Sequence, residues 1–115
     1  SLRGTPITDG SHVLLLEDVT TAGTSIRQTH PIITSQADGV VVEGPLVSVD
    51  RQEKGTSDQS ALRELSEEYS MDCRAIVTMD EVVECLYNNP YNGVVYIDDE
   101  KKNRIDEYYR KYKAS

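Results

Sequence analysis

Glu17 and Asp18 stand side by side at the end of an apolar run, and the small, hydroxyl-rich stretch Thr20, Thr21, Ala22, Gly23, Thr24, Ser25 follows. Two adjacent carboxylates can accept hydrogen bonds from the neighbouring hydroxyls of a ribose. A loop of this composition opening a helix can aim backbone N–H groups, with the hydroxyls of Thr21, Thr24 and Ser25, into one concavity at the positive helix end, where a phosphate monoester fits. Gly23 permits close backbone approach and conformations barred to other residues, while Ala22 leaves the cradle uncrowded. The stretch is not a Walker A loop, because GK[ST] is missing, nor a dinucleotide loop, because Gly23 lacks GxGxxG partners. Taken singly, a solvated strand end would account for the acids and helix capping for the threonines. It is their combination in one segment that points to a ligand.

Such a loop must be held by a strand before it and a helix after it. Residues 13–16 are continuously apolar and read as a strand buried on both faces of a parallel sheet, with the acidic pair at its C-terminal end, where an open α/β sheet places its ligand. Residues 24–37 read as a helix with Ile26, Ile33 and Ala37 at helical spacing, a kink expected at Pro31, and Asp38-Gly39 as the stop. A second strand is expected within 40–49, interrupted at Glu43-Gly44-Pro45 and firmest over 46–49. Ala61, Leu62, Leu65 and Tyr69 mark one face of a second helix. Residues 74–78 give a third strand. Thr78 and Glu81 form a capping-box pattern for a helix over 79–87 with Val82, Val83 and Leu86 inward. Residues 94–97 are expected to add a short strand, and Asp98-Asp99 to cap a last helix whose Ile105, Tyr108, Tyr109 and Tyr112 form a core-packing stripe. Alternating strands and helices predict an α/β fold built on a doubly wound parallel sheet with helices on both faces. Three or four such strands leave an edge that needs covering, by further strands or a partner chain.

Composition narrows the partners. The chain has 115 residues, enough for one modest domain, and a formal charge of −8 that argues against nucleic-acid binding, which relies on clustered Lys and Arg. No apolar run reaches the length of a membrane span and no signal-peptide pattern opens the chain, so a cytoplasmic protein is expected. Cys73 and Cys85 have no CxxC partner and read as reduced, partly buried thiols. His12 and His30 lack ligand-spaced neighbours and read as surface residues.

Residues 14–25, from the apolar run through the two acids and an apolar residue to the Thr/Ser/Gly loop, closely resemble the signature of the type I phosphoribosyltransferases that binds 5-phosphoribosyl-1-pyrophosphate (PRPP). The resemblance implies that Glu17 and Asp18 are catalytic and hold the ribose 2′- and 3′-hydroxyls. It further implies that Thr20, Thr21, Ala22, Gly23, Thr24 and Ser25 bind the 5-phosphate, with Val19 also among the PRPP-binding residues. Glu17 departs from the commoner Asp, altering reach more than charge. The segment Val49-Asp50-Arg51-Gln52-Glu53-Lys54-Gly55 resembles the orotate phosphoribosyltransferases, which carry an apolar strand, Asp-Arg, an acid two residues on, and Gly. That likeness makes Arg51, with Thr21, an orotate-binding residue. A guanidinium at a strand's end suits a planar substrate bearing a carboxylate. Alone, Arg51 would read as a surface residue paired with Glu53 or Asp50.

The likeness runs on through 75–79 and 105–109. It implies the C-terminal half of a phosphoribosyltransferase domain, with residues 1–12 the trailing edge of a catalytic loop and 13–25 the PRPP-binding strand and loop. PRPP and orotate as substrates, Mg²⁺ accompanying the pyrophosphate, a homodimer, and inactivity of the chain alone are further implications. No metal ligand is assigned to this half. The competing expectations are a non-catalytic PRPP-sensing module, which has no need of Arg51, and a phosphoribosyltransferase for a purine base.

Overall fold

The computed structural model describes residues 2–20 and 22–115. In chain order the elements are β1 (His12–Val13), β2 (Leu16–Val19), α1 (Thr24–Thr34), β3 (Val41–Val42), β4 (Leu46–Asp50), α2 (Ala61–Tyr69), β5 (Arg74–Thr78), α3 (Met79–Leu86) and α4 (Asp99–Tyr112). All named strands pair in parallel, in one sheet of order β2-β4-β5 and a second of β1-β3. Parallel neighbours need crossover connections, which α1 and α2 supply. The fold is α/β with parallel sheets, as the alternation of strand and helix signals predicts.

The expected single strand over 13–16 is divided. Val13 pairs with Val42 and Leu16 with Leu46, so two residues on one side face three on the other, as at a bulge. Pro45 lies in the longer side and has no N–H to give. The ladder resumes around it, with the Glu43 amide donating to the Val13 carbonyl and the Leu46 amide to the Leu15 carbonyl, both at 2.8 Å. Nor is this strand buried on both faces, since Leu14 is 55% and Leu16 73% exposed. Ile76 in β5 is equally open. One face of the sheet therefore presents apolar side chains to solvent.

The other face carries the core. Ile26 and Ile33 from α1, Leu65 from α2, Val42 and Met71 form one buried cluster, with Val13, Leu15 and Tyr69 packed around it. Val47, in the central strand, is also fully buried. The stagger of Ile26 and Ile33 along α1, and of Leu62 and Leu65 along α2, directs one stripe of each helix inward.

Helix ends follow their local chemistry. α1 runs through Pro31 and stops at Thr34, short of the expected Ala37. The Ser35 hydroxyl and the Gln36 amide both donate to the Ile32 carbonyl, and such side-chain bonds compete with continued helix. The Ser60 hydroxyl caps α2, and the Thr78–Glu81 capping box at α3 has both reciprocal bonds. Val82, Val83 and Leu86 of α3 are only half-buried.

Two expectations at the C-terminal end are corrected. Residues 94–97 form no strand, because Asn92 and Gly93, with φ of 50° and 78°, make a tight turn closed by Tyr91 and Val94. Ile97 contributes only an isolated bridge to Tyr87. The tyrosine stripe of α4 is not core, since Tyr108 and Tyr112 remain 42% and 41% exposed and only Ile105 and Tyr109 are half-buried. The radius of gyration is 17.4 Å, with extents of 53 × 33 × 21 Å. A self-contained domain of this length would have about 13 Å. Cys73 is half-buried and Cys85 exposed, both free thiols. His12 is exposed, whereas His30 is half-buried, stacked on Tyr69 at 4.2 Å between ring centroids.

Candidate functional site

β2 and β4 are neighbours in register, Val19 beside Val49, so the segments that leave them emerge on the same edge of the sheet. The first carries residues 20–25 and the second Arg51. Gly23 is the N-cap of α1 and takes a left-handed conformation, φ 74° and ψ 16°. Its amide donates to the Thr20 hydroxyl at 3.0 Å, which turns the chain sharply into the helix. Among the described residues no side chain caps α1. The positive end of this helix therefore faces the loop without an internal acceptor from its own cap residue. A Cβ on Gly23 would lie 3.1 Å from both Leu65 Cδ1 and Arg27 Nη1, so the position is constrained by space as well as by φ.

The two carboxylates differ. Successive strand residues alternate between faces. Glu17 is half-buried and accepts a 2.9 Å hydrogen bond from the Ser25 hydroxyl, tying the strand end to the first turn of α1. Asp18 is exposed on the other side, its carboxylate bonded among the described residues only to the adjacent Val19 amide at 2.6 Å. Ser25 is thus joined to Glu17, Gly23 to Thr20, and Val19 to Asp18. Ala22 and Thr24 lie between these ties. Thr21 lies outside the described residues.

Arg51, just past the end of β4, is held by α4. Its Nη2 donates to Glu53 Oε1 at 2.8 Å and to the Tyr108 hydroxyl at 3.4 Å, and its carbonyl accepts from the Tyr109 hydroxyl at 2.7 Å. Backbone bonds from Lys54 to the Tyr112 carbonyl and from Ala114 to the Gln52 carbonyl fasten the end of the chain along this loop. The pairing with Glu53 is the one a surface arginine would make. No hydrogen bond among the described residues joins Arg51 to the loop after β2.

Two further residues, which sequence reasoning passed over, connect these segments. Arg27 sits in the first turns of α1, an unfavourable place for a cation at the positive helix end. Acids offset that cost: its guanidinium donates to Glu64 at 3.3 Å and Glu68 at 3.1 Å, and also to the Ala22 carbonyl. Burial works against the charge, yet the bonds to Glu68 and Glu64 prevail and raise its pKa. Glu64 is half-buried, its side chain 9% exposed, and accepts from the amides and hydroxyls of Thr56 and Ser57 at 2.8–3.1 Å. Desolvation would raise its pKa, but the Ser57 and Thr56 bonds outweigh it and hold the carboxyl at about 2. A signal was present in the sequence: a basic residue three positions into a helix that opens a ligand loop needs an acidic neighbour from elsewhere.

No group of three or more His, Cys, Asp or Glu side chains among the described residues could hold a metal ion. No helix of the described residues is long and apolar enough to cross a membrane.

A strand end bearing acids, a tight hydroxyl-rich turn and a helix that starts at a glycine N-cap, set in a parallel α/β sheet, have a counterpart among solved structures. The crystal structure of orotate phosphoribosyltransferase from Francisella tularensis superposes with a TM-score of 0.70 at 27% identity, covering 90% of this chain and 47% of that one. The fold is therefore the phosphoribosyltransferase α/β fold over that span. Orotate phosphoribosyltransferases from Clostridium beijerinckii and Lachnoclostridium phytofermentans are each 56% identical, over 113 and 111 residues. These alignments take in 98% and 96% of this chain but 50% and 49% of the relatives. The chain is a homologue of the orotate phosphoribosyltransferases and spans about half the length of the curated relatives it matches. No protein-family model matches it.

Proposed function

We propose that the chain is the C-terminal half of an orotate phosphoribosyltransferase and supplies that enzyme's seat for the ribose and 5-phosphate of PRPP. The single observation that carries the reading is the junction of β2 and α1, where Asp18 and Glu17 meet a left-handed Gly23 at the N-cap of the helix. The 5-phosphate sits on residues 20–25, with Thr21 also reaching orotate, and Glu17 and Asp18 accept from the ribose diol. The ring nitrogen of orotate forms a bond to C1 as the bond from C1 to pyrophosphate breaks, and the nitrogen's proton is released to the departing pyrophosphate or to water, giving orotidine 5′-monophosphate. The sugar passes through a cationic, oxocarbenium-like state. Gripping it at phosphate and diol turns an encounter into an oriented step, and the carboxylates favour the developing positive charge. Arg51 receives the orotate carboxylate after exchanging it for Glu53.

Mg²⁺ belongs to this chemistry as the counter-ion of pyrophosphate. The described carboxylates form no cage for it, and the roles assigned to this chain's residues are confined to the sugar, its phosphate and orotate.

The doubly wound arrangement, with helices on both faces, is completed by the rest of the enzyme. The exposed Leu14, Leu16 and Ile76 support this, as does a radius of gyration well above that of a self-contained domain. The whole protein works as a cytoplasmic homodimer in pyrimidine and UMP biosynthesis, and the 115 residues alone do not turn over. A chimaera tests the reading. Replacing the matched half of the Clostridium beijerinckii enzyme with this chain should give orotidine 5′-monophosphate from PRPP and orotate. A folded chimaera without that activity would contradict it, as would turnover by the chain alone.

A further inference from the structure

Arg27 occupies a place that local energetics disfavour, since a cation in the first turns of α1 meets the positive helix end. Its guanidinium bonds to two acids, Glu64 and Glu68, and to one uncharged group, the Ala22 carbonyl in the turn that opens the helix. The acids alone would neutralise the charge. The bond to Ala22 does something else.

A trans peptide is planar, so the Ala22 carbonyl and the Gly23 amide point in opposite directions across one rigid unit. Holding the carbonyl on the Arg27 side directs the Gly23 N–H the other way, into the turn, where it reaches the Thr20 hydroxyl at 3.0 Å. Little room is left to rearrange, because a Cβ on Gly23 would lie 3.1 Å from Arg27 Nη1. The far end of the pair acts on the segment after β4. Glu64 accepts from the amides and hydroxyls of Thr56 and Ser57, and a Cβ on Gly55 would lie 2.7 Å from its carboxylate. A continuous path of contacts therefore runs from Ala22 through Arg27 and Glu64 to residues 55–57, just beyond Arg51. When two segments share one polar network, fixing the first lowers the cost of ordering the second.

We infer that Arg27 is a positioning residue, acting through the 22–23 peptide on the phosphate turn and through Glu64 on the loop behind Arg51, so that filling the turn with a phosphate monoester tightens that loop. The inference rests on the proposed phosphate seat and adds to it a pair of residues to which no substrate contact is assigned.

The test is a titration of the 115-residue chain with ribose 5-phosphate, followed by amide NMR. The amides of residues 22–25 should shift, and those of 54–57 should shift with the same midpoint. Arg27→Gln should bind about fivefold more weakly and shift residues 22–25 alone. Glu64→Gln cuts the path at its other end and should likewise lose the response at 54–57 while keeping it at 22–25. Glu68→Gln removes an acid partner of Arg27 but leaves the path whole, so it should respond as the natural chain does. A role confined to balancing charge would instead make the Glu64 and Glu68 changes alike. The amide dispersion of each variant before ligand is added reports its fold, and either cut serves if the other unfolds. Shifts at 22–25 with none at 54–57 in the natural chain, or a response at 54–57 that survives both cuts, would overturn the inference and leave the phosphate seat standing. No shift at 22–25 would overturn the seat, and the inference with it.

Discussion

The guanidinium of Arg27 and the half-buried carboxylate of Glu64, 3.3 Å apart, fasten the loop after β2 to the loop after β4. Arg27 reaches from this pair to the Ala22 carbonyl, and Glu64 reaches to Thr56 and Ser57. The proposed phosphate seat and the segment that carries Arg51 are thus held in one network. The cost of burying a charge is offset only while every partner is present.

Glu64→Gln should therefore destabilise the chain by about 2 kcal/mol, the cost of weakening several charge-assisted bonds to a half-buried group. Urea denaturation at neutral pH measures this. The pH dependence follows from a folded pKa of about 2 against an ordinary glutamate value of 4.5. A depressed carboxyl pKa contributes stability that is fully present above the unfolded value and lost as pH falls through the folded one. The advantage of the natural chain over Glu64→Gln should be constant above about pH 5 and shrink from there toward pH 2.

Gly55→Ala should also be destabilising, by about 1–3 kcal/mol, because an added Cβ would lie 2.7 Å from the Glu64 carboxylate. The two positions should be coupled. In a Glu64→Ala background the clash is gone, and a thermal-denaturation double-mutant cycle should show a much smaller effect of Gly55→Ala.

Asp18→Asn is expected to change stability by less than about 0.5 kcal/mol, since Asp18 is exposed and, among the described residues, bonded only to its neighbour's amide. In the active chimaera it should lower the turnover rate by about a hundredfold, as befits a group that favours a developing cation. Equal turnover with Asp at 18 replaced would remove it from the mechanism.

Leu16→Lys should be tolerated in this chain, because Leu16 is 73% exposed, and should reduce self-association seen by sedimentation. In the chimaera, where the second half is proposed to cover this face, the same change should cost about 2–4 kcal/mol, measured by urea denaturation.

Much of this architecture was legible beforehand because local chemistry dictated it. The capping box at Thr78 and Glu81 fixed the start of α3, and the spacing of Ala61, Leu62 and Leu65 fixed the buried face of α2. What was not legible depended on groups distant in the chain. An apolar run such as 13–16 says that burial is sought but not what provides it, so Leu14 and Leu16 read as buried although nothing among the described residues covers them. The tyrosines of α4 misled in the same way. Arg27 and Glu64 are 37 residues apart, and only the crossover through β4 brings them together. Of the site, the strand end and the turn at Gly23 could be read from residue types, whereas the hold of α4 on Arg51 through Tyr108 and Tyr109 could not.

The central claim is that the turn between β2 and α1 seats the phosphate of a phosphorylated pentose. Its most direct measurement is a crystal of this chain soaked with ribose 5-phosphate. The account predicts phosphate density against the amides of residues 22–25 with the sugar hydroxyls at Asp18 and Glu17. An empty turn at saturating ligand, or phosphate bound elsewhere, would contradict it.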